Sequence, residues 1–191
     1  TFRGTDAEVA KLDADDLLQG GPAVRISDSV SGGVLVNAVQ LNTDDLDPDD
    51  NSSTPDIADP NPDEDGDGLT DSTETAGGLT SFGSAPALLI GGPGAVTLGN
   101  VGTGESAYGL VIQGTAIGNG LFDGVTSTGV QLGGLGGTVN TSGGVNVAGT
   151  IGSASSFADS TAILFGAGAT APVLKVGARL QAQSTSSDTV S

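Results

Sequence analysis

Twelve residues, 63–74, carry carboxylates at the spacing that calcium-binding loops use. Their sequence, Asp-Glu-Asp-Gly-Asp-Gly-Leu-Thr-Asp-Ser-Thr-Glu, fits the pattern D-x-D-x-D-G-x5-E at every constrained position. Calcium is a hard cation that takes about six to eight oxygen ligands, and glycine at the sixth position allows the sharp turn that gathers them. The predicted ligands of one Ca²⁺ are Asp63, Asp65 and Asp67, the backbone carbonyl of Leu69, Asp71 directly or through water, and both carboxylate oxygens of Glu74.

The residues around this segment do not resemble a helix–loop–helix calcium site. Pro60 and Pro62 precede it and Ala-Gly-Gly follows at 76–78, so neither side supports a long helix. The run Asp-Gly-Asp-Gly-Leu-Thr-Asp at 65–71 is similar to the calcium loops of thrombospondin type 3-like repeats in bacterial surface proteins. That resemblance implies a rigid clip rather than a switch, and the alternative is a solvated acidic loop that binds no ion.

The negative charge of the chain is concentrated around this segment. The chain has 23 Asp and Glu against 5 Lys and Arg, a formal net charge of −18, and 13 of the 23 carboxylates lie between positions 44 and 74. No Lys or Arg occurs between Arg25 and Lys175. Such a segment buries little apolar surface and repels itself, so we expect it to need a bound cation for order. A second ion is an open possibility at a cluster of alternating carboxylates without a turn glycine, Asp44, Asp45, Asp47, Asp49 and Asp50.

The composition excludes several classes of function. The chain contains no Cys, His, Met or Trp, which rules out disulfides, an imidazole base and zinc bound by His or Cys. The net charge of −18 argues against nucleic acid and anionic membrane as partners, since both need basic patches. No apolar run in the chain approaches ~18 residues, so we expect that this chain does not insert into a membrane.

Outside the acidic segment the chain repeats one short pattern. A small residue is followed by an apolar residue, any residue, a second apolar residue, and then Gly or a small polar residue. Alternation of this kind, bounded by Gly, Pro or Thr, predicts short β-strands. The five copies lie at 22–27, 86–91, 108–113, 128–133 and 161–166.

The spacing of these copies predicts a solenoid. The steps from 86 to 108 and from 108 to 128 are 22 and 20 residues, the length of one β-solenoid coil. The step from 22 to 86 exceeds the length of one coil by about two further coil lengths. This excess is close to the length of the acidic segment 42–80. The predicted fold is therefore all-β, a parallel β-helix (β-solenoid) with an acidic calcium-binding loop inserted between two successive coils. The predicted units are a lead-in or first coil at 1–21, a coil at 22–41, the insertion at 42–80 and further coils at 81–191. Within the first unit, residues 6–18 form either a short helix or an irregular first coil.

Strands this short cannot each bury an apolar face alone, and stacking them in successive coils provides that burial. Each strand pairs with the coils above and below, at about 4.8 Å, and the inward side chains form one continuous core. Small aliphatic residues suit a narrow core of this kind, which fits the low aromatic content of 3%. The predicted core residues are Val24, Ile26, Leu88, Ile90, Leu110, Ile112, Val130, Leu132, Ile163 and Phe165.

Several strings in the chain carry a family resemblance. They are Leu-Leu-Gln-Gly-Gly-Pro-Ala-Val-Arg-Ile-Ser-Asp-Ser-Val-Ser-Gly-Gly-Val-Leu at 17–35, followed by the Asp-rich loop, and the strings at 85–91, 107–114 and 122–125. They resemble passenger segments of large autotransporter surface proteins of alphaproteobacteria, sphingomonads especially. The resemblance implies a secreted parallel β-helix displayed on the bacterial cell surface as adhesin or surface-layer material. The family's signal peptide and C-terminal membrane barrel have no counterpart here, so we expect a piece of a longer passenger or a processed unit.

Three functions compete on these observations. The first is an extracellular structural β-solenoid that forms a fibre, layer or adhesin stalk, stabilised by calcium and contacting other copies or neighbouring coils end to end. The second is a glycan- or protein-binding adhesin module, although sugar platforms favour aromatic residues and Tyr108 is the one polar aromatic. The third, a polysaccharide-degrading enzyme, lacks support, because lyases need cations in the site and hydrolases need a carboxylate pair about 5–9.5 Å apart. The basic residues lie toward the two ends of the chain: Arg3, Lys11, Arg25, Lys175 and Arg179. The carboxylates of the predicted coils each stand alone in sequence: Asp28, Asp123 and Asp159.

Overall fold

Short runs of alternating apolar residues, separated by Gly, Pro and Ser, form the strands of this protein. A computed structural model describes residues 20–38, 76–104 and 107–185 of the chain. Within these ranges the regular structure consists of β-strands, and the named strands pair only in parallel. The prediction of an all-β fold is confirmed. The strands are β1 (Val24–Ile26), β2 (Val34–Val36), β3 (Gly78–Phe82), β4 (Leu88–Ile90), β5 (Val96–Leu98), β6 (Leu110–Ile112), β7 (Thr115–Asp123), β8 (Ser127–Leu132), β9 (Val139–Thr141), β10 (Val145–Val147), β11 (Thr150–Ser156), β12 (Ser160–Phe165), β13 (Ala169–Thr170), β14 (Leu174–Val176) and β15 (Arg179–Thr185).

These strands form four parallel sheets in the described part of the chain. Sheet I has the order β1-β4-β8-β12, sheet II β5-β9-β13, sheet III β2-β6-β10-β14 and sheet IV β3-β7-β11-β15. The chain visits sheets I, II, III and IV in that order and then returns to sheet I, and we call each such round a pass. In the first pass sheet II is represented by Val30, which forms a parallel bridge with Leu98. This strand order is consistent with a β-solenoid.

Each pass through the four sheets takes more residues than the sequence spacing predicts. Leu88 of β4 pairs with Val130 of β8, which pairs with Ile163 of β12, so successive passes in sheet I are offset by 42 and 33 residues. The predicted coil of 20–22 residues is wrong because the string 108–113 forms β6 in sheet III, whereas the other four strings lie in sheet I. Both sheets require two inward apolar residues around one outward residue, so the same pattern recurs twice within a single pass.

The acidic segment is attached within the first pass. β2 ends at Val36 in sheet III and β3 begins at Gly78 in sheet IV. The long connection therefore joins two sides of one pass, instead of two successive coils as the spacing predicts. Its C-terminal boundary is also earlier than predicted, because Gly78 and Thr80 are paired with Thr115 and Ile117 of β7.

The inward residues of the sheets form one apolar cluster. Six of the ten predicted core residues are 0–1% exposed: Leu88, Ile90, Leu110, Ile112, Val130 and Leu132. Val24, Ile26 and Ile163 are half-buried against this cluster. Phe165, by contrast, is 38% exposed. Its pairing partner Leu132 is fully covered, but Phe165 lies in the last described pass, where no further strand covers it.

The corner between sheets I and II is built on glycine. The amide of Gly91 donates to the carbonyl of Ile26, and the amide of Gly133 donates to that of Ile90, both at 2.8 Å. Gly91 and Gly133 have φ values of 136° and 72°, a region that side chains rarely adopt. A glycine with positive φ therefore follows the strand of sheet I in two successive passes, where the chain turns toward sheet II.

Sheets IV and I approach each other closely where the chain returns to sheet I. A Cβ atom on Gly118 of β7 would collide with the carbonyl oxygen of Thr128 in β8. Buried serines fill the same seam. The Ser127 hydroxyl lies 2.7 Å from that of Ser155, whose own hydroxyl donates to the Asp159 carbonyl at 2.9 Å. The interior is thus aliphatic where sheets I, II and III contribute to it, and at this seam it is lined by Gly and Ser.

Candidate functional site

The predicted calcium loop lies outside the described residues. This applies to all six predicted ligands, Asp63, Asp65, Asp67, Leu69, Asp71 and Glu74, and to the second acidic cluster at 44–50. Within the described ranges no group of three or more Asp or Glu side chains is gathered to hold a metal ion. The calcium site therefore stays a prediction of the sequence.

The structure does define where the acidic segment is anchored. The amide of Gly77 donates to the carbonyl of Asn37 at 2.9 Å, and the carbonyl of Gly77 accepts from the amide of Thr115 at 2.9 Å. The Val36 carbonyl accepts from the amides of both Gln113 and Gly114, at 2.8 and 2.9 Å. The two ends of the segment are thus joined to each other and to the second pass, at the corner between sheets III and IV.

The free edge of the last described pass leaves inward apolar side chains uncovered. Strands β12, β13, β14 and β15 each lie at the end of their sheet. Phe165, Leu174 and Val176 pair with Leu132, Val145 and Val147. Those three partners are 0–1% exposed, whereas the side chains of the last pass are 38–44% exposed. We call the free side of β12–β15, with these three side chains, the terminal edge.

The opposite end of the described passes is more covered. Strands β1, β2 and β3 are also at the ends of their sheets, and we call their free side the opening edge. Val24, Ile26 and Val34 are half-buried there, and Val36 is 7% exposed. The two edges are therefore unlike, and the terminal edge leaves more apolar surface without cover.

A shallow groove runs along the outer face of sheet IV. It has a volume of about 420 Å³ and is lined mainly by Phe82, Asn119, Leu121, Gln183 and Thr185. Phe82 and Leu121 are 50% and 44% exposed. The strands of sheet IV thus combine an aromatic ring, amides and hydroxyls on one face, which the repeated pattern could not predict because Phe82 lies outside it.

The other residues that the sequence singled out are dispersed. Tyr108 forms a backbone bridge with Val101 ahead of β6 and does not line the groove. Asp28, Asp123 and Asp159 are exposed and lie, respectively, after β1, at the end of β7 and before β12. The described cations, Arg25, Lys175 and Arg179, are all exposed, in β1, β14 and β15. Arg3 and Lys11 lie outside the described residues.

In the described ranges no helix has the length and apolar character to cross a lipid bilayer. Comparisons with protein-family models, with curated proteins and with solved structures give no significant match. The fold and the surfaces of the chain are therefore the observations that bear on its function.

Proposed function

We propose that this chain is a segment of an extracellular parallel β-solenoid that builds a bacterial cell-surface fibre, layer or adhesin stalk. Each pass through the four sheets is one coil, and further coils add at the ends, from another copy or from a longer chain. The acidic segment, which connects β2 and β3 of the first coil, binds calcium. The role is structural and includes no catalytic step.

The terminal edge is the observation that carries this proposal. Phe165, Leu174 and Val176 occupy core positions but remain 38–44% exposed, beside backbone groups of four strands at the ends of their sheets. Free strand edges of this kind are templates for pairing with another chain. Covering the three side chains buries roughly 200 Å² of apolar surface, which contributes about 5 kcal/mol before the cost of association. The added backbone hydrogen bonds favour the same contact.

Calcium has a supporting role in the proposal. The hydrogen bond from Gly77 to Asn37 holds the ends of the acidic segment together at the corner between sheets III and IV. A loop with 13 carboxylates repels itself until a cation offsets part of the charge. Binding in the range of extracellular modules, with Kd about 10⁻⁴–10⁻³ M, suits a compartment rich in calcium.

The experiment compares Leu174→Asp with Leu121→Asp in the 191-residue chain. Leu174 and Leu121 are 41% and 44% exposed, but Leu174 is on the terminal edge and Leu121 on the outer face of sheet IV. Sedimentation at rising protein concentration in calcium should show association of the wild type and Leu121→Asp, and monomeric Leu174→Asp. Circular dichroism confirms that each variant keeps its β-structure. A wild type that remains monomeric at millimolar concentration refutes end-to-end assembly.

The groove on sheet IV favours a second candidate function, a binding module for a glycan or a protein. An exposed ring at Phe82 lies beside the amide of Asn119, and the amide of Gln183 lines the same groove further across sheet IV, so the groove offers stacking and hydrogen bonds. Screening neutral oligosaccharides against the wild type and Phe82→Ala tests it, with binding expected only for the wild type. A ligand bound equally by both proteins argues against this groove.

A further inference from the structure

One backbone turn recurs where three strands of sheet IV end. The residue directly after β3, β7 and β11 is Gly83, Gly124 and Phe157, respectively, with φ values of 105°, 82° and 54°. In each case the backbone amide of this residue donates to a carbonyl of the next pass, at 2.7–2.8 Å: those of Asn119, Ser156 and Thr185. The third pass therefore places a phenylalanine where the first two passes use glycine.

The backbone conformation of Phe157 is unfavourable for its residue type. Phe157 is the only non-glycine residue of the described ranges with a positive φ. Bulky side chains rarely adopt this left-handed region, because Cβ comes too close to the backbone. Burial does not compensate for the strain in full, since the side chain is 50% exposed. Strained residues of this kind cluster at ligand sites, where the side chain is retained for a contact outside the fold.

Phe157 stands at one end of the groove on sheet IV. It directly follows Ser156, and its amide is bonded to the carbonyl of Thr185; both of these neighbours line the groove. Phe82, which is also 50% exposed, lines the groove from the first pass. In a chain with only 3% aromatic residues, two half-exposed phenylalanines thus lie at the same ends of the strands of one sheet.

The polar groups of the groove suit a neutral ligand rich in hydroxyls. None of the described residues that line it carries a charge. The amides of Asn119 and Gln183 and the hydroxyls of Ser156 and Thr185 supply both donors and acceptors. Sugar rings present hydroxyls around their rim and apolar C–H groups on their faces, and those faces stack on aromatic rings. The groove therefore matches a neutral glycan better than an apolar or a charged protein surface.

We propose that Phe157 is a binding residue for a neutral glycan, with one sugar unit stacked on its ring and neighbouring units lying in the groove toward Phe82. This inference rests on the second candidate function, the binding groove, and is independent of end-to-end stacking. Phe82 and Phe157 belong to the first and third passes, so two strand spacings, about 10 Å, separate them across the sheet. A chain of several sugar units reaches both rings.

Two substitutions at position 157 separate the ring from the backbone. Phe157→Asn removes the ring and suits the conformation, because asparagine adopts the left-handed region readily, whereas Phe157→Tyr keeps both the ring and the strain. The assay is calorimetry with three neutral hexasaccharides, cellohexaose, xylohexaose and mannohexaose, and with charged oligogalacturonate. At least one neutral hexasaccharide should bind the wild type and Phe157→Tyr alike. Phe157→Asn should bind it about tenfold more weakly, the loss expected for an aromatic contact.

Thermal denaturation separates a binding role from a structural one. Phe157→Asn should keep Tm within about 4 °C of the wild type, because relief of the strained backbone offsets loss of the half-buried ring. Leu164→Asn is the matched control. Leu164 is a 40% exposed apolar side chain of β12 in sheet I, away from the groove, so this variant should bind the glycan as the wild type does.

Four outcomes would overturn the inference. Loss of binding in Phe157→Asn together with a larger fall in Tm would assign the ring a structural role. Equal binding by the wild type and Phe157→Asn, with loss in Phe82→Ala, would remove Phe157 from a groove that itself stands. Preference for oligogalacturonate would contradict a neutral ligand. A wild type that binds none of these glycans at millimolar concentration would leave a protein as the ligand of the groove, while end-to-end assembly would still be decided by sedimentation.

Discussion

A single methyl group at Gly118 tests the account of the narrow seam between sheets IV and I. Gly118 is an inward residue of β7, paired with Ser81 and Ser153 of the neighbouring passes. A Cβ atom there would collide with the Thr128 carbonyl oxygen and lie 2.6 Å from the Thr128 carbonyl carbon and 2.9 Å from the Thr128 nitrogen. All three contacts are with backbone, so no side-chain rotation relieves them. Gly118→Ala therefore requires the two sheets to separate.

Gly152 in β11 provides the matched control. It lies in the same sheet, but a Cβ atom there meets only the Ile117 side chain at 3.8 Å and the Gln181 carbonyl at 3.9 Å, which are ordinary contacts. Gly118→Ala should lower the free energy of unfolding by about 2–3 kcal/mol, the cost of overpacking a filled interior. Gly152→Ala should be neutral or stabilise by about 0.5–1 kcal/mol, because alanine loses less conformational entropy in a strand.

Thermal and urea denaturation followed by circular dichroism measures the difference. For a chain of this length, the loss at Gly118 corresponds to a drop in Tm of about 5–10 °C. The contrast between the two glycines is the quantity of interest, since it removes effects common to any Gly→Ala change in sheet IV. Equal unfolding free energies for the two variants would show that sheets IV and I do not approach as closely as described.

Three further predictions concern the core and the calcium loop. Ile112→Ala, at a fully buried position of β6, should lower the free energy of unfolding by about 3–4 kcal/mol through lost burial and a cavity. Ile117→Ala, on the half-buried outer face of β7, should lower it by less than about 1.5 kcal/mol. Similar losses from the two variants would contradict the assigned faces. Asp63→Ala should abolish the heat of Ca²⁺ binding in calorimetry, whereas Asp28→Ala, which removes an exposed carboxylate just after β1, should leave it intact. Chelation should weaken association more than it lowers Tm, and an unchanged sedimentation profile after chelation would remove calcium from the proposal.

Local pattern alone was sufficient to predict strands β1, β4, β6, β8 and β12 and the core residues that most of them contribute. Leu88 and Ile90, or Val130 and Leu132, flank one outward residue and are followed by glycine, and period-2 alternation requires the flanking pair to share a face. The aliphatic core is also wider than predicted. Some of its members lie in strands that the repeated pattern did not include: Val96, Leu98, Val139, Val145, Val147 and Ile151.

The length of a pass could not be obtained in the same way. Sheets I and III present the same alternation to the interior, so the string of β6 resembles the strings of β4 and β8 although it stacks with neither. The number of residues between two similar strings can therefore separate two different sheets of one pass, or the same sheet in two successive passes. Which strings stack is decided by the lengths and bends of the corners between them.

The sequence by itself determined strands β1, β4, β6, β8 and β12, the faces of their aliphatic residues and the concentration of negative charge in one segment, because each depends on neighbouring residues. Only the tertiary structure decided which strands stack and that Phe165 remains exposed while its partner Leu132 is buried. Those properties depend on pairing between residues 29 or more positions apart. Burial in a stack depends on having a neighbouring pass on both sides, which no local pattern of residues specifies.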